Sequence, residues 1–191
     1  TNDGWRHGVY VGTTENNQTV KISTTSGKIS FKGEANFTNT TNTDNSGVQF
    51  QVNASTSEIV VGSETGDIEI DGKHIAPENG QFANGIRFSP NEKANSIRIG
   101  FDGNTPYSGD ITLATNSFLL RTTSSVAGRV SIQSSGAFVF KPKANSFTHL
   151  RIDNDEALSF DDDFNFGTTF SSMQFGKESN TYDFTFDNAL T

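Results

Sequence analysis

GDITLATNSFLLRTTSSVAGRVSIQSSGAFVF, residues 109–140, holds four short apolar-x-apolar units: Ile111/Leu113, Phe118/Leu120, Val130/Ile132 and Phe138/Phe140. Gly, Ser, Thr and Asn separate them and cut each unit off after a few residues. Side chains alternate faces along a strand, so each unit puts two apolar groups on one side and a polar one on the other. The stretch reads as many short strands and no helix.

The same unit recurs outward in both directions. Toward the N-terminus lie Val9/Val11, Val20/Ile22, Ile29/Phe31, Val48/Phe50/Val52, Ile59/Val61, Ile68/Ile70, Ile86/Phe88 and Ile97/Ile99. Toward the C-terminus follow Leu150/Ile152, Leu158/Phe160, Phe164/Phe166, Phe170, Phe175 and Phe184/Phe186. No apolar residues recur at helical spacing for more than one turn. Units follow one another about every 7 to 12 residues over nearly the whole length, short for a repeat and without a strict motif, which disfavours a leucine-rich repeat or a propeller blade. Asp71-Gly72 reads as a tight turn ending the Ile68/Ile70 unit. Lys21, Lys28 and Lys32 sit on or beside early units, where they would discourage edge-to-edge pairing. The polar run from Asn36 to Asn45 reads as a loop or hinge. Pro77, Asn79-Gly80 and Asn84-Gly85 mark the best internal boundary, dividing a β-rich region 1–76 from a β-rich region 77–191 with a Phe-rich end. One continuous domain is the alternative.

Bulk composition narrows the architecture. Of 191 residues only 32% are hydrophobic, yet 17 are Phe, and the mean hydropathy is -0.50. Average domains run to roughly 45–50% apolar when Gly is counted. Such a chain can supply a thin apolar seam, and a seam becomes stable when several chains share it. The expected fold class is therefore all-β, with many short strands in an elongated, intertwined β-helix-like homotrimer whose Phe residues meet on a common axis. An antiparallel β-sandwich filling a private core with the same Phe residues is the competing form.

The formal net charge of -8 argues against nucleic acid, which demands basic patches. No cysteine is present, so disulfides and thiolate metal sites are out. No apolar run approaches the roughly 18 residues that span a bilayer, so no membrane insertion is expected. The chain opens on Thr1 without a signal peptide, and a piece of something longer is the expectation.

Chemistry is sparse. His7, His74 and His149 lie far apart with no metal-ligand spacing, and no nucleophile elbow or phosphate loop occurs. No cofactor and no metal is expected. Asp153, Asp155, Glu156, Asp161, Asp162 and Asp163 form the one acidic cluster. Two carboxylates about 5 to 9.5 Å apart can cleave a glycoside, and oxygens can hold calcium, but acid runs are most often solvated turns. For sugar binding, aromatic faces stack on C–H groups while amides and acids read hydroxyls. Tyr107, in the loop DGNTPYSGD with Asp102, Asn104 and Asp110 nearby, is the candidate, with Trp5 beside Arg6 and His7 as a further one. Tyr10 and Tyr182 are the remaining aromatics with a polar handle. A Pro-Tyr pair in a Gly-rich loop is also an ordinary way to pin a turn, and that reading is the commoner one.

SGDITLATNSFLLRTTSSVAGRVSIQSSGAFVFKPKANSFTHLRIDNDEALSF resembles the shaft and distal regions of bacteriophage tail fibres and tailspikes. Those share G-x-Φ-x-Φ units, Ser/Thr/Asn linkers, few Cys and late aromatic or acidic segments. The resemblance is one of texture across most of the chain. It implies a parallel homotrimer on the outside of a virion that binds a bacterial surface polysaccharide or outer-membrane protein without enzymatic action. Other readings are a glycan-depolymerising tailspike domain using acids such as Asp155 and Asp162, and a monomeric carbohydrate-binding adhesin at a bacterial surface or secreted.

Overall fold

The computed structural model describes residues 6–36, 45–75, 83–91, 93–120, 129–142, 149–152 and 164–176. Within them every apolar-x-apolar pair lies in a strand, and there is no helix. The chain visits three sheets in rotation. β1 (Arg6–Thr13), β2 (Thr19–Thr24) and β3 (Ile29–Asn36) each enter a different sheet. β4 (Asn45–Val52), β5 (Glu58–Ser63) and β6 (Ile68–Ile75) then return to the same three in the same order. A third circuit runs through β7 (Ala83–Ser89), β8 (Ile97–Ile99) and, after a small hairpin of β9 (Phe101–Asp102) and β10 (Thr105–Pro106), β11 (Ile111–Thr115). β12 (Ser117–Leu120), β13 (Val130–Ile132) and β14 (Ala137–Pro142) make the fourth, and β15 (His149–Ile152), β16 (Phe164–Phe166) and β17 (Ser172–Phe175) the fifth.

The result is a first sheet β1-β4-β7-β12-β15, a second sheet β2-β5-β8-β13-β16 and a third sheet β3-β6-β11-β14-β17. All neighbours in these sheets are parallel, and among the described strands only the β9–β10 pair is antiparallel. This corrects the antiparallel sandwich. A strand that leaves for the next sheet, and meets its neighbour only one circuit later, arrives in the same direction each time. The spacing of 7 to 12 residues between most units is thus the distance from one sheet to the next, stretched to 19 from Ile29 to Val48 and to 18 from Ile68 to Ile86, where the chain returns from the third sheet to the first. The true repeat is a whole circuit: in the third sheet Ile29, Ile68, Ile111, Phe138 and Met173 lie side by side, in steps of 39, 43, 27 and 35 residues. Strands on either side of residue 76 share sheets, β4 pairing with β7 and β6 with β11.

Inward residues form one apolar cluster that includes Val48, Phe50, Ile59, Val61, Ile70, Ile86, Phe88, Ile97, Leu113, Phe118, Val130, Ile132, Phe138 and Phe140. A column of rings runs from circuit to circuit: Phe31 meets Phe50 at 5.2 Å, Phe50 meets Phe88 at 5.4 Å, Phe88 meets Phe118 at 5.6 Å and Phe118 meets Phe140 at 5.6 Å. Phe138 gathers Phe166, Phe170 and Phe175 at centroid distances of 5.0, 5.6 and 5.7 Å. A single ring, Phe31 or Phe50, serves each of the first two circuits, and three each serve the fourth and fifth; neighbouring circuits are only about 4.8 Å apart, so large rings bridge that gap. Phe184, Phe186 and the acidic cluster Asp153–Asp163 lie outside the described residues, as do positions 37–44 of the run read as a loop from Asn36 to Asn45, whose two end residues belong to β3 and β4.

The corner between the second and third sheets is built from hydroxyls and glycines in register. Ser63 Oγ accepts the Gly66 amide at 2.9 Å and donates to the Gly27 carbonyl at 2.8 Å. Ser134 Oγ accepts the Gly136 amide at 3.0 Å and donates to the Gly109 carbonyl at 2.5 Å. A Cβ on Gly66, Gly109 or Gly136 would collide with the carbonyl of the glycine one circuit below. The recurring G-x-Φ-x-Φ units begin at this spine. Asp71-Gly72 is not a turn: both lie inside β6, which runs on to Ile75. Gly72 is there because the backbone of Gly85 on the first sheet passes too close to admit a side chain.

Candidate functional site

Alternation about Val20/Ile22, Ile59/Val61 and Ile97/Ile99 sends Lys21, Val60 and Arg98 to the outside of the second sheet, in one row of register. The step from the second to the third sheet is nine residues in the first two circuits (Val20 to Ile29, Ile59 to Ile68) and fourteen in the third (Ile97 to Ile111). The surplus forms the β9–β10 hairpin, which closes at its base through a 2.9 Å bond from the Tyr107 amide to the Gly100 carbonyl. Gly100 and Gly103 take positive φ values of 84° and 60° at the two bends.

The hairpin folds back against β5. Val60, an apolar residue on the outer face, is 2% exposed, and Phe101 of the hairpin is 3% exposed. The Tyr107 ring lies over Gly62, where any Cβ would strike it, and the Tyr107 carbonyl accepts the Ser135 amide at 2.7 Å from the next circuit. Lys21 holds Asp102 at 2.5 Å, joining β2 to the hairpin. Arg98 meets Glu58 at 2.9 Å, and Lys93 reaches the other oxygen of Glu58 at 3.2 Å.

Three cations and two carboxylates therefore form a strip across β2, β5 and β8 with a surplus of one positive charge, on a chain whose formal charge is -8. The hydrogen bond and attraction of Asp102 raise the pKa of Lys21, with smaller contributions from Tyr107 (raising) and Arg98 (lowering). The Lys21 hydrogen bond in turn holds Asp102 below its usual range. A glycosidase acid needs the opposite shift. Asp102 is accordingly a charged partner, suited to hold cations or accept from hydroxyls.

Of the residues singled out from the sequence, Tyr107 and Asp102 come together beside Lys21. Asn104 is exposed at the hairpin tip. Asp110 belongs to the corner instead: its Oδ1 accepts the Ala137 amide at 2.8 Å, and its own amide donates to Asp67 Oδ1 at 3.0 Å. Trp5, Asp155 and Asp162 lie outside the described residues. Lys21, Glu58, Lys93 and Arg98 were missed. Their offsets reflect the circuit length, so only a recognised period of about 39 residues would have aligned them. Among the described residues no three His, Cys, Asp or Glu gather as a metal site. No protein-family model, curated protein or solved structure matches this chain.

Proposed function

We propose that the chain is the receptor-binding part of a viral attachment fibre: a β-helix-like shaft, assembled as a homotrimer on the outside of the virion, that grips a bacterial surface glycan or outer-membrane receptor without cleaving it. The observation that carries the reading is the inserted hairpin, which sets Tyr107 and Asp102 beside Lys21, Arg98 and Glu58 on the outer face of parallel sheets. A rigid scaffold displaying a shallow charged and aromatic strip suits polysaccharide, whose hydroxyls and carboxylates are read by such groups. Phe31, Phe50, Phe88, Phe118, Phe138 and Phe140 already pack inside one chain, so three copies would associate through outer faces. Three identical strips on one shaft would then raise avidity well above single-site affinity.

Binding of purified capsular polysaccharide, O-antigen and outer-membrane vesicles to the immobilised protein tests this. Binding is expected for at least one, weakened about tenfold or more, equivalent to about 1.4 kcal/mol, in the Lys21→Ala/Arg98→Ala double variant. Absence of binding to all three would overturn the proposal, and new reducing ends would replace it with a depolymerase.

A further inference from the structure

The outer face of the first sheet carries a second arrangement, in which amides reach the surface while its one charged register neighbour, Arg87 beside Gln49, is 1% exposed. Val48, Phe50 and Val52 point into the core, so Gln49 and Gln51 emerge on the opposite side of β4. There they form a directed relay. Ser46 Oγ donates to Gln49 Oε1 at 3.3 Å, Gln49 Nε2 to Gln51 Oε1 at 2.6 Å, and Gln51 Nε2 to Asn53 Oδ1 at 2.5 Å. Gln49 is 0% exposed and Gln51 6%, whereas Asn53 is exposed. The relay thus starts at buried groups of this face and ends in solvent at the Asn53 amide.

Beside it, Tyr10 is 42% exposed, one of two large apolar side chains so open among the described residues. Its register partner is Gln49. The ring lies over Gly12, whose missing side chain makes room for it, and Gly12 is the register partner of Gln51. His7 stacks with the ring at 5.3 Å and 25°. A firmly seated aromatic ring therefore lies next to an oriented row of amides. Burial raises the Tyr10 pKa, which keeps the phenol neutral. Tyr10, Gln49, Gln51 and Asn53 bring no formal charge.

We propose that Tyr10 and the Gln49–Gln51–Asn53 relay form a subsite for a neutral sugar. The ring takes the C–H face of the pyranose, and the Asn53 amide, held by Gln51, reads its hydroxyls. Gln49 and Gln51 act as positioning residues, since both are buried. The site is separate from the charged strip of the second sheet and does not depend on it.

Saturation-transfer NMR and calorimetry with maltoheptaose and mannotriose test the subsite. At least one probe is expected to bind. Tyr10→Ala should weaken it about tenfold, Tyr10→Phe less than about threefold, and Asn53→Ala several-fold, while Lys21→Ala/Arg98→Ala leaves it unchanged. Thermal unfolding of each variant checks that the fold is intact. Failure of both probes to bind the unaltered protein, or wild-type affinity in Tyr10→Ala, overturns the proposal. Loss of neutral-sugar binding in the Lys21/Arg98 variant equal to that in Tyr10→Ala would place the sugar on the strip, overturning this subsite while leaving the attachment reading in place.

Discussion

A methyl group on Gly109 would run into the Gly66 carbonyl, and the backbone there cannot yield without breaking register with the circuits on both sides. Gly103, at the hairpin tip, has nothing within 4 Å but a φ of +60°. The two glycines thus separate close approach from backbone conformation. Gly109→Ala is expected to cost about 3 kcal/mol and Gly103→Ala about 1 kcal/mol, measured as the loss in unfolding free energy in urea. His74 offers a second test at this scale. It is 7% exposed at the end of β6, where its backbone amide donates to Asn116 Oδ1 at 2.9 Å and its carbonyl accepts Asn116 Nδ2 at 2.7 Å. Burial lowers its pKa, so the folded protein binds fewer protons than the unfolded chain, in which the imidazole titrates near about 6.5. Its contribution is full above that pH, declines as pH falls toward the lowered folded value, and levels off below it. Urea midpoints should drop between pH 7.5 and 5 in the native chain and drop less in His74→Gln. Equal slopes would show that His74 carries none of the effect.

At the level of the strand, the sequence was most informative where Φ-x-Φ pairs had to face a core, because alternation is imposed by the pleat itself. Ile59/Val61 and Phe138/Phe140 could be assigned as strands from two residues each. What a strand pairs with is another matter. Val20 and Ile59 are neighbours although 39 residues apart in sequence, and unequal corners, such as the hairpin before Tyr107, blur that interval until no motif survives. Asp71-Gly72 misled for a related reason: glycine serves a bend and a close backbone approach equally well, and only the opposing strand distinguishes them. The charged strip was hidden by the same irregularity, whereas Tyr107 and Asp102 were visible because a Gly-rich loop advertises itself. The lysines on the first circuit make an element-scale prediction. β2 and β3 are edge strands of the described sheets, with Lys28 and Lys32 reaching Glu69 at 2.8 and 3.5 Å. Replacing Lys21, Lys28 and Lys32 together by Val should leave the interior unaltered but increase light scattering on concentration, as unprotected edges pair. Scattering equal to that of the native protein would show that something other than charge guards the edge.

For the molecule as a whole, the proposed trimer is the boldest expectation. Sedimentation equilibrium should give three times the 20.7 kDa chain mass, and a single-chain mass would remove the trimer while leaving the two surface sites testable. Amide exchange gives an independent map. Val9, Val20, Ile22 and Ile29 on the first circuit are only partly buried, whereas Val48, Ile59 and Ile70 on the second are sealed. Protection should accordingly be weaker in β1, β2 and β3 than in β4, β5 and β6, with exchange spreading inward from the end.

The parallel ladders have a mechanical corollary. Backbone bonds in all three sheets point along the stack, from each circuit to the next, while the peptide chain winds across it. Tension applied between the two ends would peel the outermost loop away bond by bond, much as a spring unwinds from its free coil. Compression would meet closed ladders and a filled column of rings at every level. The described stack should therefore resist thrust along its ladders better than a pull on one end.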